Sequence, residues 1–205
     1  MVPAPLPATD LRALVELVSR RAAALQGRPY MIALDGRSGA GKSTLAARWA
    51  AELDAAVLDG DAFFDGGVEL RDDPPAARAH ACISWRRQRP VLEALRGGRA
   101  ARFLAFDWDA FDGRLEPTTT VVAPRPFVIL EGVYAARPEL RDLIDLRALL
   151  LVDDATRQAR LRAREGGVGP WERQWHEAEA WYFAERAPPS SFDVILDDAT
   201  TSAAG

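Results

Sequence analysis

Lysine is nearly absent from this sequence of 205 residues: Lys42 is the single lysine among 26 basic residues, and the other 25 are arginine. Cysteine is as scarce, because Cys82 stands alone, which excludes a disulfide framework and a cysteine-based zinc site. No apolar run reaches the roughly 18 residues needed to span a bilayer, and the N-terminus lacks the basic and apolar regions of a signal peptide. We therefore expect a cytoplasmic protein without a membrane partner.

An excess of positive charge is also missing. The net charge is −4, whereas a surface that binds nucleic acid normally carries a strong basic excess. Nucleic acid is therefore not expected as a partner. The hydrophobic content of 48% and the length fit one globular domain over residues 1–205, at about 150 residues per domain.

Short apolar runs alternate with amphipathic segments along the chain. Residues 1–8, rich in proline and alanine, are predicted to be a flexible arm, and Thr9 to cap a helix that extends to about residue 25. The predicted strands are 30–35, 56–59, 127–131, 148–152 and 194–196, and the later predicted helices are 43–53, 87–96, 139–144, 155–164 and 171–186. This alternation predicts an α/β fold with a doubly wound, mostly parallel five-stranded sheet, helices on both faces and ligands at the carboxyl ends of the strands.

The segment after the first of these strands matches a phosphate-binding loop. It reads G-R-S-G-A-G-K-S and fits the pattern G-x-x-x-x-G-K-[S/T] between a buried strand and a helix. In such a loop backbone N–H groups converge on phosphate oxygens, the lysine reaches the β- and γ-phosphates and the serine hydroxyl ligates Mg²⁺. We therefore predict a P-loop NTPase fold that uses ATP and Mg²⁺. The predicted nucleotide-binding residues are Gly36, Arg37, Ser38, Gly39, Ala40, Gly41, Lys42, Ser43 and Thr44.

The bound nucleotide is expected to serve a kinase. A GTPase needs an N-K-x-D element for guanine, and the single lysine is already placed in the phosphate loop. A motor-type ATPase would have an apolar strand ending in D-E, whereas the best candidate strand here ends in Glu131 followed by Gly132. A lone acid followed by glycine is more typical of a kinase.

A carboxylate is expected beside the γ-phosphate. Asp61 follows the strand 56–59 in the sequence D-G-D-A-F-F, and the end of the strand next to the phosphate loop faces the γ-phosphate in this fold. Asp61 is therefore the candidate base that accepts the proton of an attacking hydroxyl, supported by Asp59. A turn or N-cap aspartate is the alternative interpretation of Asp61.

Three arginines recur on one face of a predicted helix, at Arg157, Arg160 and Arg164, ahead of a glycine-rich segment. Such a face suits a lid, placed at about residues 157–170, that closes over ATP and neutralises charge on the transferred phosphoryl group. Arg160 and Arg164 are assigned to catalysis with Asp61 and Lys42, and Arg157 to nucleotide binding. A solvated basic face is the alternative.

Together these segments resemble the uridine kinase group of P-loop kinases, which is related to phosphoribulokinase and bacterial pantothenate kinase, over most of the chain. G-R-S-G-A-G-K-S-T is similar to the group's phosphate loop, G-D-A-F-F to its Q-D-S-F-Y element, and E-G-V-Y-A to its E-G-I-x-A segment. The resemblance implies that Asp61 is the catalytic base next to the metal and that Glu131 serves the Mg²⁺ site with Ser43.

The resemblance also nominates residues for the phosphate acceptor. R-D-D-P resembles a segment whose aspartate binds ribose hydroxyls, which points to Asp72, and F-D-W stands where the group has Y-D-F. Gln174 is a candidate for a contact with a base, since the group's pyrimidine-binding histidine has no counterpart after F-D-W. The predicted acceptor residues are Phe64, Asp72, Phe106, Asp107, Trp108 and Gln174.

The aromatic residues near this segment leave two roles open. For Phe106 and Trp108, stacking on a ring of the acceptor and simple packing are both retained. Trp171 and Trp175 share a face of a predicted helix and are expected to pack in the core or the lid, with stacking on the substrate as the alternative.

The sequence therefore predicts an ATP- and Mg²⁺-dependent small-molecule kinase that transfers the γ-phosphoryl group to a hydroxyl of a nucleoside or nucleoside-like compound. One alternative is a kinase of another small alcohol, such as pantothenate, a sugar or an antibiotic hydroxyl. Another is a nucleotide-binding regulator without phosphoryl transfer. Assembly as a homo-oligomer is left open.

Overall fold

The computed structural model describes residues 5–8, 10–25, 27–167 and 169–198. Thr9, the predicted cap of the first helix, lies outside these residues. Asp10 precedes that helix, and its carboxylate accepts a hydrogen bond from the backbone N–H of Ala13 (3.0 Å).

Strands and helices alternate through most of the described chain. The strands are β1 (Pro5–Pro7), β2 (Tyr30–Asp35), β3 (Ala55–Asp59), β4 (Ala101–Phe106), β5 (Leu115–Val122), β6 (Phe127–Glu131), β7 (Leu146–Leu151) and β8 (Val194–Asp197). The α-helices are α1 (Leu11–Ala22), α2 (Lys42–Leu53), α3 (Pro75–Cys82), α4 (Trp85–Arg96), α5 (Asp154–Glu165) and α6 (Pro170–Glu185). Short 3₁₀ turns cover Gly60–Phe63, Pro138–Leu143 and Pro189–Ser191.

The main sheet is parallel throughout, in the strand order β1-β8-β7-β2-β6-β3. Successive side chains of a strand point to opposite faces, and β2 shows this: Met31 and Ala33 belong to one buried cluster, Ile32 and Leu34 to the other. Helices α1 and α2 cover one face, and α3, α4 and α6 the other. The predicted doubly wound α/β arrangement is confirmed.

Three expectations need correction. The sheet has six strands instead of five, and part of the expected flexible arm, residues 1–8, is ordered: Pro5–Pro7 pairs in parallel with Ile195–Asp197. A proline has no N–H to donate, and it is tolerated here because β1 is an edge strand with one neighbour. The predicted helix 139–144 is also a 3₁₀ turn, Pro138–Leu143.

Strands β4 and β5 form an antiparallel hairpin that the sequence analysis did not predict. The hairpin packs against the turn after β3, where the rings of Phe63 and Phe103 lie 4.6 Å apart. Its connection carries Trp108 and Phe111, whose rings are stacked 6.0 Å apart. The hairpin therefore brings two aromatic side chains towards the ends of the sheet strands.

The register of the sheet brings three strand ends together. Glu131 of β6 lies beside Asp59 of β3 on one side and Leu34 of β2 on the other. The phosphate loop, the turn after β3 and the end of β6 therefore share one edge of the sheet. No helix in the described ranges is both long and apolar enough to cross a lipid bilayer.

Candidate active site

The phosphate loop connects β2 to α2 in a curled conformation. Its φ angles are positive at Gly36 (155°), Gly39 (81°) and Gly41 (96°). A Cβ at Gly36 would lie 2.6 Å from the carbonyl oxygen of Leu150, and one at Gly39 would lie 2.9 Å from that of Arg157. Gly36 and Gly39 are therefore required for close approach to neighbouring backbone, as well as for the turn.

The start of α2 offers donors to an anion. Gly41 is its N-cap and provides no side chain to accept hydrogen bonds from the first turn, which leaves backbone N–H groups at the positive end of the helix dipole. Lys42 is buried beside them, and its Nζ donates to the carbonyl oxygen of Arg37 (3.2 Å). This donor set fits the phosphates of a nucleotide.

Asp35, at the end of β2, anchors the base of the loop. It is fully buried, and its carboxylate accepts hydrogen bonds from the backbone N–H groups of Gly36 (2.8 Å), Tyr134 (3.1 Å) and Ala136 (2.9 Å) and from the hydroxyl of Tyr182 (2.8 Å). Burial raises the pKa of Asp35 to about 6 despite these donors. A structural role follows, because its carboxylate is enclosed by these partners.

Glu131 and Ser43 supply oxygen atoms below the phosphate loop. Ser43 and Glu131 line the same cavity. Burial, together with the charges of Asp59 and Asp61, raises the pKa of Glu131 to about 7, while Ser43 and Lys42 oppose the shift. Hydroxyl and carboxylate oxygens are the ligands that Mg²⁺ prefers, usually with phosphate oxygens. Ser43 and Glu131 therefore fit a magnesium site.

A magnesium ion here would depend on the nucleotide. Among the described residues, no three His, Cys, Asp or Glu side chains are grouped so that they could hold a metal ion. Asp61, predicted as a metal residue, lines the same cavity as Ser43 and Glu131. Mg²⁺ characteristically binds through one or two side chains plus substrate phosphates.

Asp61 lies in the turn that follows β3. Its backbone N–H donates to the carboxylate of Asp59 (2.9 Å), and its carbonyl oxygen accepts from Nε1 of Trp108 (3.2 Å). The side chain opens to solvent in a cleft with protein on most sides. Desolvation in this cleft, followed by the charge of Asp59, raises the pKa of Asp61 to about 6, while Lys42 opposes the shift. Asp61 is therefore ionised at neutral pH and able to accept a proton.

Two cavities meet at Asp61. The phosphate cavity, of about 270 Å³, lies over the loop and reaches Lys42 and Glu131. The outer cavity, of about 370 Å³, lies on the other side of Asp61. Ser38, Asp61 and Arg164 line both. A reacting group in either cavity is thus next to the same carboxylate.

The predicted arginines bring α5 against the phosphate loop. Nη1 of Arg157 donates to the carbonyl oxygen of Ser38 (3.2 Å), and Nη1 of Arg160 donates to that of Ala40 (3.0 Å). Arg160 and Arg164 line the phosphate cavity, whereas Arg157 is buried and supports the loop from behind. A third cavity, of about 360 Å³, continues from the loop past Thr44, Arg48 and Arg160.

Among the predicted acceptor residues, Trp108 lines the outer cavity. Phe64 and Phe106 are buried and pack against it, with ring centroids 5.0 Å and 4.9 Å from that of Trp108. Asp107 shapes the turn, because its carboxylate accepts from the backbone N–H of Ala110 (2.8 Å). Phe64, Phe106 and Asp107 therefore support the wall that Trp108 forms.

Asp72 and Gln174 are not among the residues that line the outer cavity. Asp72 is exposed. The side-chain amide of Gln174 accepts from the backbone N–H of Arg71 (3.0 Å) and donates to the carbonyl oxygen of Glu69 (3.5 Å). The structure thus places Gln174 against the segment that precedes α3.

Helix α6 supplies wall residues that the sequence analysis did not assign to the site. Trp171 and Trp175 line the outer cavity, and their rings are stacked 5.6 Å apart. Glu172 and His176 line it as well. The expected packing role of the two tryptophans is also present, because each ring contacts Phe64.

Glu179 is the most informative residue that sequence reasoning missed. It is fully buried, and its carboxylate accepts hydrogen bonds from the backbone N–H of Ser38 (3.2 Å), the Ser38 hydroxyl and Nε1 of Trp175 (2.7 Å). Nε of Arg37 lies 3.9 Å away. Trp171, Trp175 and Glu179 recur at a spacing of four, so helical periodicity could have joined them on one face.

Comparison with known proteins agrees with this architecture. No protein-family model and no curated protein matches the chain. A possible uridine kinase from Bacillus stearothermophilus superposes with a TM-score of 0.66 and 17% identity, over 92% of this chain and 100% of that one. A proposed fructose transport system kinase from a Silicibacter species gives 0.67 and 24%, over 91% and 98%. A D-glycerate 3-kinase from Cryptococcus neoformans gives 0.64 and 12%, over 92% and 95%.

At these identities the likeness concerns the fold. The chain has the α/β fold of P-loop kinases, and the resemblance to the uridine kinase group is confirmed at that level. The three structures carry names for different acceptors, so the superposition does not distinguish between acceptors.

Proposed function

We propose that this chain is an ATP- and Mg²⁺-dependent kinase that phosphorylates a hydroxyl group of a small molecule. The observation that carries the proposal is the position of Asp61, which lines both the phosphate cavity and the outer cavity. A phosphoryl group held over Lys42 and a hydroxyl in the outer cavity would meet at this carboxylate. The names of the structural neighbours, all kinases of small molecules, agree with the proposal.

The residues around Asp61 match the steps of phosphoryl transfer. The hydroxyl oxygen attacks the γ-phosphorus, its proton passes to the Asp61 carboxylate, and ADP leaves with the bonding electrons. Lys42 and Arg164 both line the phosphate cavity and would place positive charge next to the transferred group. Ser43 and Glu131 would hold a Mg²⁺ ion, which would neutralise further negative charge on the phosphates.

The nucleoside part of ATP has a separate space. The third cavity leads away from Gly41 and Thr44 towards Arg48 and Asp198. Its 360 Å³ adjoins the phosphate cavity at Arg160, which lines both. We place the base and ribose of the donor there, at the carboxyl end of the sheet where nucleotides bind in such folds.

For the acceptor, we propose a nucleoside or nucleoside-like compound. Trp108, Trp171 and Trp175 provide flat surfaces for a ring, and the carboxylates of Asp59 and Asp61 can accept hydrogen bonds from sugar hydroxyls. The same groups suit a free sugar, the acceptor class in the name of the Silicibacter structure, which makes a sugar the second candidate.

Asp61→Asn tests the proposal, because it keeps the size of the side chain and removes the base. We expect binding of a non-hydrolysable ATP analogue within about twofold of wild type and turnover at least about a hundredfold lower, the usual contribution of a positioned base. Asp65→Asn, four residues along and exposed, is the matched control and should retain full activity. Unchanged turnover in Asp61→Asn would refute the assignment.

A panel of nucleosides, sugars and other small alcohols, scored by ATP consumption, separates the kinase from its alternatives. Phosphorylation of a nucleoside or sugar would support the proposal. ATP-analogue binding with no acceptor-dependent ATP consumption across the panel would favour the nucleotide-binding regulator. Cytoplasmic localisation stays a prediction from composition.

A further inference from the structure

The outer cavity has an unbalanced charge. Its lining includes three carboxylates, Asp59, Asp61 and Glu172, but one guanidinium, Arg164. Three negative charges against one positive charge leave a net charge of −2 when His176 is neutral. Clefts lined by one sign of charge concentrate ligands of the opposite sign and repel ligands of the same sign.

Nearby arginines do not correct this imbalance. Arg71 and Arg78 line a smaller neighbouring cavity, and each pairs with a carboxylate: Arg71 with Asp73 (2.6 Å) and Arg78 with Glu177 (2.6 Å). Among the described residues that line the outer cavity, Arg164 is the single arginine or lysine. It also lines the phosphate cavity, where the charge of the transferred phosphoryl group would face it.

The walls of the outer cavity suit a cation as well as a flat neutral ring. The rings of Trp171 and Trp175 are stacked on each other. Trp108, which is 40% exposed, lines the same cavity, and its Nε1 donates a hydrogen bond to the backbone carbonyl oxygen of Asp61. The faces of tryptophan rings attract cations through their quadrupole. Carboxylates beside tryptophan faces are therefore complementary to a protonated amine on a polyhydroxylated compound.

The geometry points to an acceptor that carries hydroxyl groups and no negative charge, with a protonated amine preferred over a neutral group of the same shape. This inference rests on the proposed kinase function and deepens it by naming the charge class of the acceptor. It disfavours anionic acceptors such as pantothenate or glycerate, since Asp61 must stay ionised as the base and an anion would sit beside it.

Glu172 is the residue that determines this selectivity. Asp61 is needed for proton transfer and Asp59 supports it, whereas Glu172 reaches the cavity from the first turn of α6. Its carboxylate folds back towards the start of that helix, where Oε2 would lie 2.7 Å from a Cβ at Gly169. Glu172→Gln keeps a side-chain oxygen at the helix start and removes the charge.

Collisional quenching of tryptophan fluorescence tests the cavity without knowledge of the acceptor. Caesium ion and iodide are the cationic and anionic probes, and the difference between wild type and Trp108→Phe isolates the signal of Trp108. Each quenching constant is divided by that of free N-acetyltryptophanamide, since iodide is intrinsically the more efficient quencher of indole. We expect the normalised quenching constant of Trp108 to be larger for caesium than for iodide. Glu172→Gln should lower the caesium-to-iodide ratio about twofold.

Glu185→Gln is the matched control, because it removes the same charge from an exposed position of the same helix, outside the cavity lining. The caesium-to-iodide quenching ratio of this control variant should stay near that of wild type. Normalised quenching of Trp108 by iodide that equals or exceeds that by caesium, an equal change in both glutamine variants, or no quenchable signal from Trp108 would overturn the inference.

Turnover is the second test, with glucosamine, glucose and gluconate as polyhydroxylated acceptors of different charge; the first two share a pyranose ring. The inference predicts the order amine, neutral, carboxylate for kcat/KM, and a smaller spread in Glu172→Gln. Gluconate equal to or better than glucose would overturn it. If none of the three is phosphorylated, the quenching result still decides the charge preference, while the absence of turnover bears on the proposed function.

Discussion

Replacing Glu179 with glutamine removes one buried charge and changes almost no volume. Glu179 lies on α6, and its two carboxylate oxygens meet donors from two other places: Ser38 of the phosphate loop and Trp175 one turn earlier on the helix. The positive partner nearest to it is Arg37, at 3.9 Å. The substitution therefore tests whether α6 holds the phosphate loop in place.

The expected loss of stability follows from the number of hydrogen-bond acceptors on the side chain of residue 179. In the variant, one of the two oxygens becomes an NH₂ group, which cannot accept a hydrogen bond. The Ser38 hydroxyl can rotate, but the N–H groups of Ser38 and Trp175 point at opposite oxygens, so one of them loses its bond to residue 179 in either orientation of the amide. The Trp175 N–H also donates to the Ser38 hydroxyl oxygen (3.3 Å), which offsets part of that loss. A hydrogen bond to a charged group contributes about 1.5–3 kcal/mol, and relief of the buried charge offsets part of it.

We therefore expect Glu179→Gln to lower the free energy of unfolding by about 2 kcal/mol, measured by urea denaturation. For a chain of this size that corresponds to a decrease in Tm of about 4–8 °C. Loss of loop order should also weaken binding of a non-hydrolysable ATP analogue about tenfold in calorimetry, equivalent to about 1.4 kcal/mol.

Glu185→Gln, at an exposed position of the same helix, is the control and should change the stability by less than about 0.5 kcal/mol. If Glu179→Gln unfolds at the wild-type temperature and binds the ATP analogue with unchanged affinity, Glu179 does not hold the loop. A loss of stability with unchanged nucleotide affinity would limit its role to packing of α6.

Three further predictions concern the candidate catalytic base Asp61, the buried Asp35 and the phosphate loop. Kcat/KM should rise with pH as Asp61 ionises around its pKa of about 6, and Asp59→Asn should move this rise to lower pH because the charge of Asp59 raises that pKa; an unmoved profile in an initial-rate assay would contradict the assignment of the base. Tyr182→Phe should destabilise the protein by about 1.5–3 kcal/mol in urea denaturation, since it removes a donor to buried Asp35. That bond lowers the pKa of Asp35, so the loss should grow as the pH rises above about 6, and a pH-independent loss would argue against it. Lys42→Ala should weaken ATP-analogue binding about tenfold or more by calorimetry, and retained affinity would contradict the phosphate-loop assignment.

The buried strands were predictable because they are covered on both faces. The apolar runs 30–35 and 127–131 coincide with β2 and β6, which lie inside the sheet and need apolar residues at every position. β1 gave no such signal, since three residues with two prolines at an edge are held by one neighbouring strand. Its pairing depends on where β8 runs, which local sequence does not encode.

The hairpin has a weaker sequence pattern than the buried strands. In Ala101–Phe106 the end positions are buried and Arg102 and Leu104 are exposed, and Leu115–Val122 contains a run of threonine and valine. Alternation and β-branched residues predict strands, but most of these side chains are exposed, so the apolar pattern is faint. The position of Trp108 at the outer cavity follows from this hairpin.

The candidate site also contains some residues that the sequence could identify and others that it could not. The phosphate loop has a fixed spacing because its backbone must fit a phosphate, so its residues could be named from the sequence. Trp108, Asp72 and Gln174 were nominated through resemblance to short segments. Trp108 lines the outer cavity, whereas Asp72 and Gln174 do not, and Gln174 lines the smaller cavity beside it. Where side chains make the site, resemblance to a short segment thus identified some lining residues and not others.

Helix α6 shows what a linear pattern cannot contain. Trp171, Trp175 and Glu179 recur every four residues, which predicts a shared face but not what that face touches. In the fold the face spans two cavity walls: the tryptophans line the outer cavity, and Glu179 bonds to Ser38, which lines both the outer cavity and the phosphate cavity. A buried glutamate has the same letter as a solvated one, so its role follows from the tertiary contact with Ser38.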